Sequence, residues 1–410
     1  MRRHGIAWAL SAPLMSSLAA AADYEHYLIK DIAIVDLGTL GGDESVANDI
    51  NDLGEVVGWS HDSIAKKRAF IDRGDGMHPL LPYMQAEYIA HGINNKTQVV
   101  GEIIGQSREP SDLEPGSAFY WEPELFLVEL DAVDPNINAE CPGSKSFEVG
   151  GSAYAINDAG VIVGSRDVWC KQGYERKAVR WDTYASPWQQ LETLPLTLFW
   201  FDENSAADIN SSGRIVGSDL DGGEFGLSEK TGAWTWMGTA YDVPNPLANS
   251  PEWYQIHGQR AFGVNDGSRV VGSAYLYPEG EHTGERIDRA YWWSGDLQSS
   301  AKQLPVFADT KSSAAYEINN QEFIVGYADR QIATFLPRQK RAVVWHADFG
   351  VVQLPTLPGG TLFSSKDCEA LAVNKRDKSG LVRAVGYCRS GGKRHAVRWD
   401  ISTAMVTIPP

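Results

Sequence analysis

The sequence predicts an all-β fold: a seven-bladed β-propeller of four-stranded blades, its ring closed by the N-terminal strand. Two observations carry this. A phrase typified by SAYAINDAGVIVGS (152–165) recurs seven times, and each recurrence is followed by further short strand segments before the next one begins. Self-similarity at a period of about 50 residues marks a repeat architecture, and four short strands per copy is the pattern of a propeller blade.

From the N-terminus, Arg2 and Arg3 precede an uncharged stretch to Ala22, with Ala20 and Ala22 placed for cleavage ahead of Asp23. Residues 1–22 therefore read as a cleaved secretory signal peptide rather than a membrane anchor, leaving 23–410 as a single propeller domain in the periplasm or secreted. No further stretch of membrane length follows. The strand DIAIVDL (31–37) precedes the first copy but matches the fourth-strand pattern, so it is expected to complete the last blade and lock the ring, removing an exposed edge.

The copies are anchored at Ile50, Ile93, Ile156, Ile209, Val264, Ile318 and Val373, with intervals of 43, 63, 53, 55, 54 and 55 residues. Ala stands three positions before every anchor, Asn immediately after it, and a Val-Gly pair closes every copy. An extended small-residue strand, an Asn-led turn and a second apolar run make a hairpin. The third strand follows in RAFI, SAFYW, KAVRW, RAYWW, RAVVW and HAVRW, and its repeated Trp121, Trp181, Trp293, Trp345 and Trp399 are expected in the inter-blade core. A fourth strand is expected in WQQLETL (188–194), WTWMG (234–238) and VVQLPTL (351–357). The C-terminal AMVTIPP (404–410) also resembles a fourth strand, giving eight candidates for seven places. The expectation is that it is displaced or added outside.

The triplets AFI, AVRW and HAV, with VDLGTLGG (35–42) and the seven AxxINxxGxxVG phrases, resemble the HAF-repeat family of exported bacterial proteins. The resemblance implies a β-propeller-like body and no particular activity. Only His395 retains the family's His, and Glu224-Phe225-Gly226 is read as the triplet of blade four.

The formal charge of -17 becomes -19 once Arg2 and Arg3 are removed, which disfavours a nucleic-acid partner. A monomer is expected. Four cysteines in an exported chain, none spaced Cys-x-x-Cys, point to two disulfides. Cys368 and Cys388 flank the blade-seven hairpin at matching distances from its turn, and Cys141 and Cys170 lie on neighbouring long loops.

In a propeller the second-to-third-strand loops and the blade-to-blade links share one face. Here that face carries the long segments 102–117, 132–151, 241–259 and 274–288, and long loops on a rigid scaffold are where binding resides. Three sets of residues there are candidates. Arg68, Lys177, Arg289, Arg341 and His395 precede the third-strand Ala and form either a collar for an acidic ligand or partners for neighbouring carboxylates. Glu44, Glu87, Glu203 and Asp367 share a position six before the anchor, and read as those partners or as a calcium-holding ring; no cofactor is expected otherwise. Trp200, Trp253, Tyr254, Tyr275 and Tyr277 suit sugar rings, or pack their loops. Asp52, Asp158 and Asp266 read as turn formers on the opposite face.

No G-x-S-x-G, H-E-x-x-H or phosphate-binding loop is present. The sequence points to an exported module that recognises a glycan or cell-envelope ligand on its long-loop face. Two alternatives stand beside it. One is a lyase of a uronate-containing polysaccharide using Tyr254, His257 and Arg260 from WYQIHGQR (253–260); the other is a structural envelope protein.

Overall fold

Every innermost strand carries the same β-bulge. The register slips between Ala47 and Asp49, Ala90 and Gly92, Ala153 and Ala155, Ala206 and Asp208, Ala261 and Gly263, Ala315 and Glu317, and Ala370 and Ala372. An extra residue in one strand bends it and re-aims its neighbours, so each blade presents two adjacent side chains to the axis. Opposite the bulge stands the Gly of the Val-Gly pair. A Cβ on Gly58, Gly101, Gly164, Gly217, Gly272, Gly326 or Gly386 would lie 1.9–2.2 Å from the inner strand's carbonyl oxygen. The crowding explains why all seven copies end on glycine.

The structure is a computed structural model that describes residues 24–81, 86–104, 116–130, 148–170, 173–191, 202–221, 231–238, 240–242, 254–278, 287–294, 301–331, 337–358 and 366–408. Residues 1–23 and much of the long-loop face lie outside them. Strand β1 (Tyr24–Gly38) comes first. Blade one is β2 (Gly41–Ile50), β3 (Val56–Asp62), β4 (Lys67–Asp72) and β5 (Met77–Pro79); blade two is β6 (Glu87–Ile93), β7 (Val99–Ile104), β8 (Ser117–Glu122) and β9 (Phe126–Glu129). Blade three is β10 (Glu148–Ile156), β11 (Ile162–Cys170), β12 (Gly173–Trp181) and β13 (Trp188–Gln190); blade four is β14 (Asp202–Ile209), β15 (Ile215–Asp221), β16 (Thr231–Trp236) and β17 (Ala240–Asp242). Blade five is β18 (Tyr254–Val264), β19 (Val270–Pro278), β20 (Ile287–Trp293) and β21 (Lys302–Gln303); blade six is β22 (Ser313–Ile318), β23 (Ile324–Arg330), β24 (Gln339–His346) and β25 (Gly350–Gln353). Blade seven is β26 (Cys368–Val373), β27 (Leu381–Ser390) and β28 (Lys393–Ile408), with β1 as its outer strand. No helix occurs among the described residues.

The N-terminal strand is thus the lock, antiparallel to β28 from Tyr24↔Ile408 to Gly38↔Ala396. Two sequence expectations are corrected. The C-terminal tail as far as Ile408 is no separate strand: β28 runs unbroken from the third-strand position into it, pairing β27 and then extending along β1. Blade four's WTWMG does not begin its fourth strand. Trp234 pairs Gly217 of β15, so it belongs to the third strand, and the triplet there is Gly232-Ala233-Trp234 rather than Glu224-Phe225-Gly226.

The core lies between blades. Seven apolar clusters each draw on two neighbours, including one joining Val385 and Ala396 of blade seven to Ala47, Ile50 and Phe70 of blade one. Each buried Val, Ile or Leu contributes about 1.5–3 kcal/mol, so a blade cannot be stable alone. Trp121, Trp181, Trp293, Trp345 and Trp399 are all buried in these clusters, and the Trp345 and Trp399 indoles donate to Pro305 O and Pro355 O in the links that precede their blades.

The recurrent Asn builds both its own turn and the ring. In blade three Asn157 Oδ1 accepts from Ala159 N and Val161 N, at 3.1 and 3.0 Å. Its Nδ2 donates to Asn210 O of the adjacent blade four at 3.1 Å. The same link runs from Asn51 to Asn94 O (3.0 Å), Asn94 to Asn157 O (2.9 Å), Asn210 to Asn265 O (2.9 Å), Asn265 to Asn319 O (3.3 Å), Asn319 to Asn374 O (2.8 Å) and Asn374 to Asn51 O (3.4 Å). Seven side chains close a circle, and its longest bond is at the seam between blades seven and one. Only a short amide accepts for its own turn and donates to a neighbour at once.

Candidate functional site

The Asn ring frames a cavity of about 710 Å3 at one mouth of the central channel, lined from all seven blades. The residues before the anchors are Asp49, Gly92, Ala155, Asp208, Gly263, Glu317 and Ala372, and all but the two glycines line it. Acids occupy three of these places and small residues the other four, which leaves the acids room. Their repeat position was legible in the sequence; that it faces the axis was not.

Asp49 accepts from its own neighbour Ile50 N at 2.7 Å and from Ile93 N of the next blade at 2.8 Å. Asp208 repeats the arrangement with Ile209 N (2.7 Å) and Val264 N (2.8 Å). Glu317 Oε1 accepts from Ile318 N at 2.8 Å. These three carboxylates are half-buried in the cavity wall. Burial pushes Asp49 up to about 7 and Asp208 up to about 6, and lifts Glu317 well above the usual carboxylate range, against the backbone N–H groups that favour ionisation; mutual repulsion adds to the rise.

Two aromatic pairs share the wall. His91 and Tyr154 meet at 5.4 Å between centroids, and Phe262 and Tyr316 at 5.5 Å, edge to face. Tyr316 Oη donates to Glu369 Oε2 at 2.6 Å, and burial and that carboxylate raise the phenol far above its ordinary range. Beside the first pair, Glu102 faces His91 Nε2 at 3.4 Å and accepts from Ser152 Oγ at 2.5 Å; burial opposes ionisation, but these partners hold its carboxyl at about 2. At the rim, Asp52, Asp158 and Asp266 sit in the Asn turns and accept from Lys375 N, Asn95 N and Ser211 N of neighbouring blades. They are turn formers, as expected, and also inter-blade links. Among the lining residues six carboxylates stand against one lysine, Lys375, and His91.

Of the cationic series, Arg68 is buried, its Nε 2.8 Å from Asp62 Oδ2 and its Nη1 2.8 Å from Ala86 O. Arg341 is buried too, donating to Gln339 Oε1 at 2.6 Å and to Lys366 O. Arg289 donates to Asp288 O at 3.2 Å, and His395 Nδ1 lies 3.4 Å from Asp36 Oδ2; Lys177 is half-buried. Arg68 and Arg341 are thereby committed to structure rather than presented to solvent.

The acids six before the anchor staple neighbouring blades. Glu87 accepts from Lys67 N at 2.8 Å, Asp367 from Lys340 N at 2.8 Å and Glu44 from Arg394 N at 3.2 Å. Glu203 pairs in register with Arg176 at the equivalent junction. In each case this partner is the residue before the collar position, and Asp367 also acts on the collar residue Arg341 through its charge. No group of three or more His, Cys, Asp or Glu is gathered to hold a metal among the described residues.

Tyr275 is not a loop platform: it is fully buried within β19. Trp200 and Trp253 lie outside the described residues, and Tyr254, His257 and Tyr277 are placed by backbone alone. Tyr254, His257 and the half-buried Arg260 share β18, with His257 at a second bulge between Ile256 and Gly258. The Cys368–Cys388 disulfide is present across β26 and β27. Cys141 and the Cys170 side chain lie outside the described residues.

Fold and site define a closed seven-bladed propeller with an acid-lined, aromatic-walled channel mouth. A family model described as Protein of unknown function (DUF3466) matches residues 248–354. The likeness to HAF-repeat proteins remains with the residues quoted above. No curated protein matches the chain. Among solved structures, polysaccharide lyase Uly1 is similar at 9% identity over 91% of this chain and 99% of that one, with a TM-score of 0.50. A polysaccharide lyase described as Ulvanlyase is similar at 10% identity, covering 90% and 96%, with a TM-score of 0.49. The β-propeller domain of the Trilobed protease from Pyrococcus furiosus is similar at 11% identity, covering 89% and 99%, with a TM-score of 0.48. At 9% identity the likeness to Uly1 bears on fold alone.

Proposed function

We propose that the protein is an exported binding module that holds a glycan or cell-envelope ligand, without chemistry, in the mouth of its central channel. One observation carries the reading: two aromatic pairs and a circle of hydrogen-bonding carboxylates converge on a single cavity of about 710 Å3. Aromatic faces take the apolar side of a sugar ring while acceptors take its hydroxyls, and the volume is that of ordinary ligand sites. Export accords with the leader-like N-terminus and the disulfide. No helix among the described residues is long and apolar enough to cross a membrane.

Glycan-array screening followed by titration calorimetry tests this. Tyr154→Ala and Phe262→Ala are expected to weaken the best glycan at least tenfold. If no glycan binds, the reading fails. If Trp253→Ala and Tyr254→Ala abolish binding while the channel variants leave it intact, the site belongs to the long-loop face instead.

A second reading is a polysaccharide lyase, favoured by the β18 bulge at His257, since bulges re-aim side chains beside active sites. Arg260 would neutralise a uronate carboxylate, and His257 or Tyr254 would take the adjacent proton. Acidic polysaccharides should then yield unsaturated, ultraviolet-absorbing ends, lost in His257→Ala; silence across a broad panel removes this reading.

A further inference from the structure

We propose that two copies of this chain pair edge to edge through β1, joining blade seven of one copy to blade seven of the other in a continuous antiparallel sheet. The outer strands of the other six blades are short, two residues in Lys302–Gln303 and at most four in Phe126–Glu129 and Gly350–Gln353. β1 has 15 residues. Short outer strands leave little edge for another chain to pair with, and blade seven alone departs from that pattern.

The ladder fixes which groups of that edge are free. Thr403 N donates to Gly380 O on the β27 side of β28, so Ser402, Asp400 and Arg398 turn their backbone groups to β1 and bond Asp31, Ala33 and Val35. Ile32, Ile34 and Asp36 therefore point N–H and C=O groups outward, and no described residue takes them up. Nearer the N-terminus the edge is already capped, since Tyr27 N donates to Asp348 Oδ2 of blade six at 2.7 Å. The open window is Asp31–Asp36, regular between the bulges at Ile29/Asp31 and Asp36/Gly38. Two such windows are self-complementary about Ala33. Ile32 meets Ile34 of the second copy and exchanges two hydrogen bonds with it, and Ile34 does the same with Ile32 of that copy. Ala33 meets its own counterpart at the two-fold, a non-hydrogen-bonded position where strands come closest and a small side chain fits. Lys30, Asp31, Ala33 and Asp36 are all exposed. Exposed charges ordinarily blunt an edge against pairing. Here the two-fold sets Lys30 opposite Asp36 of the second copy, twice over, so the charges select this register; a slip of two residues would set Lys30 against Ile34 or Gly38 instead.

The test is sedimentation velocity of the full mature chain across the micromolar range, with circular dichroism of each variant as the check on folding. The wild-type chain is expected to shift reversibly from one copy to two as its concentration rises. Lys30→Glu and Asp36→Lys should each weaken dimerisation by about tenfold or more, because like charges then face each other across the two-fold. An equimolar mixture of these two variants should dimerise as the wild type does, since every facing pair is again of opposite sign. Ala33→Arg, at an exposed position, provides a further variant should either charge variant fail to fold, and is expected to abolish the dimer. A single-copy mass at every concentration returns the protein to the monomer expected from its sequence and overturns the inference. A dimer that none of these substitutions weakens lies on another surface and overturns it equally. Neither result bears on the glycan reading, which rests on the channel mouth.

Discussion

The Asn ring makes a prediction whose size follows from the structure. Asn157→Ala removes three hydrogen bonds: two to the turn, from Ala159 N and Val161 N, and one to Asn210 O. At about 1 kcal/mol each the loss is about 3 kcal/mol at any pH. Asn157→Asp keeps both acceptor bonds but turns a carboxylate oxygen toward Asn210 O. Ionised, it forfeits that bond and sets a charged carboxylate oxygen against Asn210 O, which keeps only its bond from Gly213 N, again costing on the order of 3 kcal/mol. Protonated, its hydroxyl donates to Asn210 O and restores the circle. The introduced acid therefore has a folded pKa above its unfolded value of about 3.9, so stability is retained below that value and lost as pH rises through the folded one. Urea unfolding followed by tryptophan fluorescence should place Asn157→Asp near wild type at about pH 4 and well below it at pH 8, with Asn157→Ala low at both. A pH-independent Asp variant, or an Ala variant within about 0.5 kcal/mol of wild type, would show that the ring does not hold the blades together.

Further outcomes follow from neighbouring features. Gly272→Ala sets a Cβ 1.9 Å from Arg260 O, so β18 and β19 must part locally; thermal unfolding should show a loss of at least about 1–3 kcal/mol. Reducing Cys368–Cys388, which closes a separation of 20 residues, should lower stability by about 3 kcal/mol in urea relative to the oxidised chain. Glu317 has a raised folded pKa, so its contribution to stability is present below the unfolded value and lost as pH rises through the folded one. Glu317→Gln escapes that loss, and its melting temperature should exceed wild type at pH 8 and converge with it at acid pH; a constant offset would contradict the assignment.

Much of the architecture was legible because it is local. Asn turns, small-residue inner strands and the third-strand tryptophans are written within a few tens of residues, and their repetition fixed the number of blades. The Cys368–Cys388 bridge could be read for the same reason, since its partners flank a single turn. The blade-four triplet and the C-terminal tail were misplaced because a strand's rank in its sheet depends on which neighbour it pairs with, and several segments share one composition. The candidate site was harder still. The sequence singles out long-loop residues, whereas the described cavity is built at the other end from Asp49, Asp208 and Glu317.

The sequence by itself determined a closed ring of seven hairpin-based blades with an N-terminal strand as the lock, because period and turn chemistry are properties of contiguous residues. Tertiary structure alone decided that each Asn donates to the next blade and that three acids meet in one lumen. It also decided that Arg68 and Arg341 are sealed into blade junctions. These groups lie tens to hundreds of residues apart along the chain, and whether a side chain faces the axis is set by a one-residue bulge that composition does not encode.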